Sequence, residues 1–292
     1  MRTEEQARRL LAHREGDGRI AMNPYRKWQG PHWTLVQLAI LGFPPGDDSL
    51  RPLRDQAYRW LLEPAHLRFP RTVVYPDQPK RVRRCASQEG NALWYSARLG
   101  LEDERTPLLA ERLVAWQWPD GGWNCDKRPE ARKSSFVETL IPLRGLLHYG
   151  KAHGDGDALA AAGRAAEFLL AHRLFWRIRD GDPASPAFLR IEWPISFYSL
   201  LFALQVMAEA GRVGDPRCAD ALDLLEAKRL PDGTFPAEVP TARTADQPAT
   251  RGTWADWGPA GKKRGNDLVT AVAREVLRAA GRRPASGSPP AA

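Results

Sequence analysis

Few residues in this chain have the chemistry and placement to do catalytic work. His32 opens an apolar helical stretch, where its imidazole could act as general acid or base or bind a phosphate. Glu138 lies early in another such stretch. A carboxylate there is a proton donor if desolvated, or a capping charge on the helix N-terminus. Cys125-Asp126 follows an Asp-Gly-Gly-Trp turn and could set a thiolate beside a carboxylate at the rim of a cavity. His32, Glu138 and Asp126 form the candidate catalytic set. Glu89, Asn91, Asn266 and Asp267 hold similar early helical positions, where capping is the default reading. No metal centre is expected, since zinc wants three or four well-placed ligands and Cys125-Asp126 supplies two. No cofactor is indicated.

Around these residues the chain interleaves cations with indoles. Basic clusters occur at Arg26-Lys27, Lys80-Arg81-Arg83-Arg84, Lys127-Arg128-Arg132-Lys133 and Lys262-Lys263-Arg264. The candidate ligand-binding set is Trp28, Trp33, Arg81, Arg84, Trp94, Trp123, Lys127, Arg128, Trp193, Tyr198, Trp254 and Lys263. Such a mixture suits an anionic ligand with an apolar or planar body. Aromatic faces stabilise a carbocation, and they stack equally well on nucleobases. The plainer alternative is a set of solvated Lys and Arg that keep the protein soluble.

The elements that must position these groups follow a repeat. A paired aliphatic step near the end of an amphipathic stretch recurs at Leu10-Leu11, Leu61-Leu62, Leu113-Val114, Leu169-Leu170 and Leu224-Leu225, at intervals of 51, 52, 56 and 55 residues. Asp-Gly turns follow three of the steps, at Asp17-Gly18, Asp120-Gly121 and Asp232-Gly233. After each loop comes a second helix, apolar around much of its circumference, over 32–42, 90–100, 135–150, 196–211 and 266–281. Half-buried and wholly buried helices in alternation, five of each, predict two concentric rings: an all-α fold, a single α/α toroid over 1–281, with 282–292 a disordered tail.

The segment Gln117-Trp118-Pro119-Asp120-Gly121-Gly122-Trp123 resembles the QW-type repeat of the squalene cyclase and prenyltransferase β-subunit superfamily, with a weaker copy at Arg229-Leu230-Pro231-Asp232-Gly233-Thr234-Phe235. The resemblance implies an α/α toroid with ligands in the central cavity, in which a Gln ending the outer helix and an aromatic after the Gly turn tie adjacent repeats together. It carries no catalytic residue across, because the DxDD acid motif and the DDxxD metal motif are both absent. Asp47-Asp48 reads as a capping turn, and Asp180-Gly-Asp182-Pro is only a partial DxD. The Asp-x-Cys zinc spacing of the prenyltransferases is missing too, and the final repeat has no histidine.

The repeat converts charge into a spatial expectation. Loops running from outer to inner helices carry +11 in total, whereas those running back carry −2. The long-loop end, where inner helices present their N-termini, is therefore expected to be cationic and Trp-rich. Net charge is +8, which matters to a partner only where it is concentrated. No apolar run is long enough to span a membrane, the opening residues lack the apolar core of a secretory signal, and three cysteines make no disulfide framework, so a cytoplasmic setting is expected. The expected function is a terpene cyclase- or prenyltransferase-like toroid binding an anionic small molecule of the prenyl diphosphate class. The alternative is a nucleic-acid-binding or non-catalytic scaffold using the same basic rim. Neither catalysis nor oligomeric state is decided at this level.

Overall fold

The computed structural model describes residues 2–68, 73–78, 81–194 and 197–282. Lys80 of the second basic cluster and the tail from 283 onward lie outside them. Among the described residues the chain forms eleven α-helices and four two-residue strands. The five amphipathic stretches become α1 (Arg2–Leu11), α3 (Arg51–Leu62), α6 (Thr106–Trp116), α8 (Gly156–Ala171) and α10 (Ala219–Glu226). The five apolar stretches become α2 (Pro31–Ile40), α5 (Ser87–Leu99), α7 (Phe136–His153), α9 (Leu200–Glu209) and α11 (Asp267–Ala279). The two kinds of helix alternate along the chain as the repeat expects, but α11 departs from the wholly buried pattern: it buries only Val269, Thr270, Ala273, Val276 and Leu277 and turns its charged face outward. One short helix, α4 (Pro64–Arg68), was not foreseen; Pro64 restarts the helix after the extended Glu63. No helix among the described residues is long and apolar enough to cross a membrane.

The chain divides into two compact units. The first comprises Met1–Leu169, Pro194–Phe197 and Thr241–Trp257; the second comprises Leu170–Trp193, Tyr198–Pro240 and Gly258–Ala292. In the first unit α2, α5 and α7 pack side by side. Burial on more than one side explains their patterning: α2 hides nine of its ten residues, from Pro31 to Ala39. The α5–α7 contact is the closest of these. A Cβ on Gly90 would lie 2.7 Å from Pro142 Cα, and one on Gly145 would lie 2.3 Å from the Gly90 carbonyl oxygen. Only hydrogen fits at either position, so backbone meets backbone. Residues 241–257 return to the first repeat: Gln29 accepts from the Ala249 N–H, the Thr253 hydroxyl donates to Gln37, and Trp254 stacks on His13 at 3.7 Å.

In the second unit α9 packs on α10 and α11, and strand β1 (Glu192–Trp193) pairs in parallel with β2 (Val239–Pro240). The remaining parallel pair, β3 (Arg243–Thr244) with β4 (Gly252–Thr253), belongs to the first unit.

Candidate functional site

The turn after α6 organises the first unit's polar centre. Gln117 ends α6 and donates through Nε2 to the carbonyls of Gly121 and Ala161, both at 2.8 Å, while Arg164 Nε donates back to its Oε1. This ties α6 to α8. Gly121 holds φ +96°, and Gly122 leaves room for Thr139, whose hydroxyl would stand 2.3 Å from an added Cβ. Trp123 is buried and donates its indole N–H to the Leu113 carbonyl. Asp120 accepts from both the N–H and the hydroxyl of Ser134, which brings the loop back to the start of α7.

The buried Arg83 then ties a second loop to this one. Its backbone bridges Asn124 in parallel, and its guanidinium donates to the carbonyls of Asp126 at 2.7 Å and Ala131 at 2.8 Å. The ring of Trp118 lies 5.2 Å from the Arg83 guanidinium carbon, and Trp118 itself donates to the Val82 carbonyl. Loops 81–86 and 123–135 are therefore one cross-braced layer over the first turns of α5 and α7.

Two groups of polar side chains converge beneath that layer. In the first, Arg84 and Glu89 form a fully buried ion pair, Nε to Oε1 at 3.4 Å, and Glu89 Oε2 has no hydrogen-bond partner among the described residues. Burial pushes the Glu89 carboxyl up to about 7, with Arg84 and Arg112 opposing the shift. Arg84 Nη1 also donates to the His66 carbonyl at 3.0 Å, and its guanidinium lies over the half-buried Trp116. The His66 ring packs at 4.5 Å on half-buried Trp60, which meets His32 at 5.8 Å. His32 is wholly buried among Tyr25, Trp33, Trp60 and Tyr95. Desolvation, assisted by His66, lowers its pKa to about 3, so the imidazole is neutral at physiological pH.

In the second group, Cys85, Cys125 and Glu138 present ligand-type atoms that all lie within 4.8 Å of one another. Glu138 is the third residue of α7, yet it does not cap its own helix. Its Oε2 accepts from the Ser87 N–H at 2.9 Å, capping α5 across the glycine contact, while Cys125 Sγ approaches Oε1 at 3.6 Å. Burial raises the Glu138 pKa, and the hydrogen bond with Cys85, followed by burial and the Glu138 carboxylate, pushes the Cys125 thiol far up.

The structure distributes the candidate residues unevenly. His32, Glu138, Arg84 and Trp33 belong to these groups. Asp126 does not join them as an acid: Arg128 chelates its carboxylate at 2.6 Å and holds it down at about 2, so it cannot donate a proton near neutrality. Its backbone carbonyl, taken by Arg83, is the part that matters structurally. Arg81 leans toward Trp118 at 6.0 Å, and Lys127 and Arg128 are exposed at the loop surface. Trp28, Trp94, Trp123 and Trp254 are buried as packing residues. Trp28 sits at φ +68° with its carbonyl held by Gln37, and Trp94 carries the Arg144 guanidinium at 3.7 Å. Trp193 and Tyr198 are buried in the second unit, where Tyr198 donates to the Leu174 carbonyl, and Lys263 is exposed there.

The partly exposed aromatic residues beside the acid–base group are instead Trp60, on which Tyr25 stacks, and Trp116, at the ends of α3 and α6, and sequence reasoning passed over both. Each follows the amphipathic pattern closely enough to read as an outer-helix surface residue. Cys85 was passed over for another reason: its partners come from another loop, and no local spacing announces them. No protein-family model matches the chain, and a search of curated proteins finds no match.

Proposed function

We propose that the alternating helices build an α/α toroid that binds an anionic, partly apolar small molecule of the prenyl diphosphate class and acts on it by proton transfer, in a cytoplasmic setting. The observation that carries this reading is Glu89: a fully buried carboxyl at about 7, with one oxygen unpartnered among the described residues, beside an Arg84 that lies over the Trp116 ring. A carboxyl with that pKa holds its proton on a substantial fraction of molecules at neutral pH and can both give and take it. Arg84 supplies a buried positive charge for an anionic headgroup. Half-buried Trp60 and Trp116 offer π faces to an apolar or transiently cationic body. Neutral His32 adds a polar atom without competing for the anion.

Nucleic acid is the other partner class the basic loops would serve. Base stacking needs open aromatic faces, and burial of Trp28, Trp33, Trp94, Trp123 and Trp254 weighs against it. Equilibrium binding of a prenyl diphosphate, inorganic diphosphate and short single-stranded DNA, each over a salt series, separates the readings. The proposal expects the prenyl diphosphate to bind more tightly than inorganic diphosphate, and Glu89→Gln to bind it without turnover. Steeply salt-dependent DNA binding with no affinity for either diphosphate would sink it.

A further inference from the structure

The second polar group points to chemistry that the acid–base reading does not use. We propose that Cys85, Cys125 and Glu138 bind one divalent transition-metal ion of the zinc class through two thiolates and one carboxylate oxygen, leaving a fourth position for an exogenous ligand.

The geometry fits before any metal arrives. Ligand atoms on a tetrahedral zinc stand roughly 3.5 Å apart, from metal–sulfur and metal–oxygen bonds of about 2.3 and 2.0 Å. Cys125 Sγ and Glu138 Oε1 are 3.6 Å apart, and all three ligand atoms fall within 4.8 Å. The set is also braced. The Arg83–Asn124 bridge aligns the two loops so that each cysteine follows it by one or two residues. Glu138 is oriented by the Ser87 N–H on its other oxygen, leaving Oε1 turned toward the sulfur. Outer contacts of this kind hold a ligand in position for its metal.

Donor chemistry selects the ion. Two sulfurs and one oxygen suit zinc and disfavour magnesium or calcium, which demand oxygen ligands. On binding, each thiol releases its proton to solvent and keeps its electron pair for the metal. Among the described residues no fourth His, Cys, Asp or Glu joins the group, and both cysteines are half-buried, so water or a small ligand can complete the shell. Three protein ligands with an open fourth position is the arrangement of a reactive rather than a purely structural zinc. Cys218 provides an internal control, being fully buried in the second unit against the Arg212 carbonyl.

The test is cobalt(II) titration of the full chain, stripped with chelator and kept reduced, with circular dichroism to certify the fold. One equivalent is expected to produce a thiolate-to-cobalt charge-transfer band and tetrahedral ligand-field bands, both displaced by zinc. Cys85→Ser and Cys125→Ser should each abolish the two-thiolate spectrum, and Cys218→Ser should leave it intact. Glu138→Asp should keep the thiolate band and weaken binding by about tenfold or more. Because Glu138 also caps α5, the Cys125→Ser result decides if the Glu138 variant misfolds. A folded, reduced wild-type chain with no cobalt–thiolate band overturns the proposal, as does a band surviving in both cysteine variants. Recovery of a metal-free Cys85–Cys125 disulfide from the freshly isolated protein would overturn it too. None of these outcomes depends on diphosphate binding, so the two proposals stand or fall separately.

Discussion

Residues 117–126 of the first unit and 229–238 of the second build the same turn twice. The Trp118 N–H donates to the Gly122 carbonyl and the Leu230 N–H to that of Thr234; the Gly121 and Gly233 N–H groups donate to the Trp118 and Leu230 carbonyls. Trp123 and Phe235 each donate a backbone N–H to a threonine one turn into the next apolar helix, Thr139 and Thr270. Each turn is followed by parallel pairing to the loop ahead of the preceding apolar helix, through Arg83–Asn124 in one case and β1–β2 in the other. The fillings differ. Cys125 of the first turn corresponds to Ala237 of the second. The third helical residues, Glu89 of α5 and Glu138 of α7, correspond to Phe202 of α9 and Val269 of α11. Glycine and threonine build the scaffold in both copies, and a handful of side chains at equivalent positions adds chemistry to one.

The sharpest way to break this equivalence is the turn glycine. Both Gly121 and Gly233 hold positive φ, but a Cβ at Gly121 would meet the Arg164 carbonyl oxygen at 2.6 Å, whereas one at Gly233 meets nothing within 4 Å. Gly121→Ala should cost about 3 kcal/mol or more and Gly233→Ala about 1 kcal/mol, read by denaturant unfolding. Equal costs would mean that φ alone matters and that the α6–α8 contact is slack.

The buried acid separates the copies next. Glu89 has its carboxyl raised from 4.5 to about 7, so the folded state keeps a proton that the unfolded state releases. Stability from this group is complete below pH 4.5 and declines as pH rises toward 7. The stability of wild type relative to Glu89→Gln should therefore fall by about 3 kcal/mol across that window. His32 acts in the opposite sense: lowered to about 3, it costs stability as pH falls below 6.5. Only the difference between wild type and variant isolates Glu89. A flat difference across the window would show the carboxylate ionised in the fold.

The smallest effect tests the shared scaffold. Thr139→Val and Thr270→Val each remove the hydroxyl that accepts a turn N–H, and each should cost about 1–2 kcal/mol. Matching costs support one architecture used twice; a clear mismatch would show that one turn is held by its neighbours.

Much of this scaffold was legible in advance. The paired aliphatic steps located all five amphipathic helices, and the five apolar stretches located their partners, because helix period and glycine stops are local properties. The turn at Gln117–Trp123 was legible as a chain reversal from its Asp-Gly-Gly, and its resemblance to the QW-type repeat implied a tie between repeats. The indoles misled, because a tryptophan beside an arginine reads alike whether it lines a mouth or fills a core. Trp123 and Trp94 fill the core. Asp126 misled in a related way: its nearest cation, two residues along, holds it ionised.

By itself the sequence determined the order of helices, the places where the chain must reverse, and the concentration of positive charge in the loops entering the apolar helices. These follow from periodicity, from the steric freedom of glycine and from counting charges. Only the tertiary structure decided that Cys85 meets Cys125 and Glu138, and that Glu138 caps α5 and not its own helix. The same holds for Glu89, whose raised pKa reflects burial that outweighs the opposing charge of Arg84. Desolvation and ligand geometry are set by which surfaces meet. Here that depends on two glycines, Gly90 and Gly145, letting α5 and α7 approach backbone to backbone.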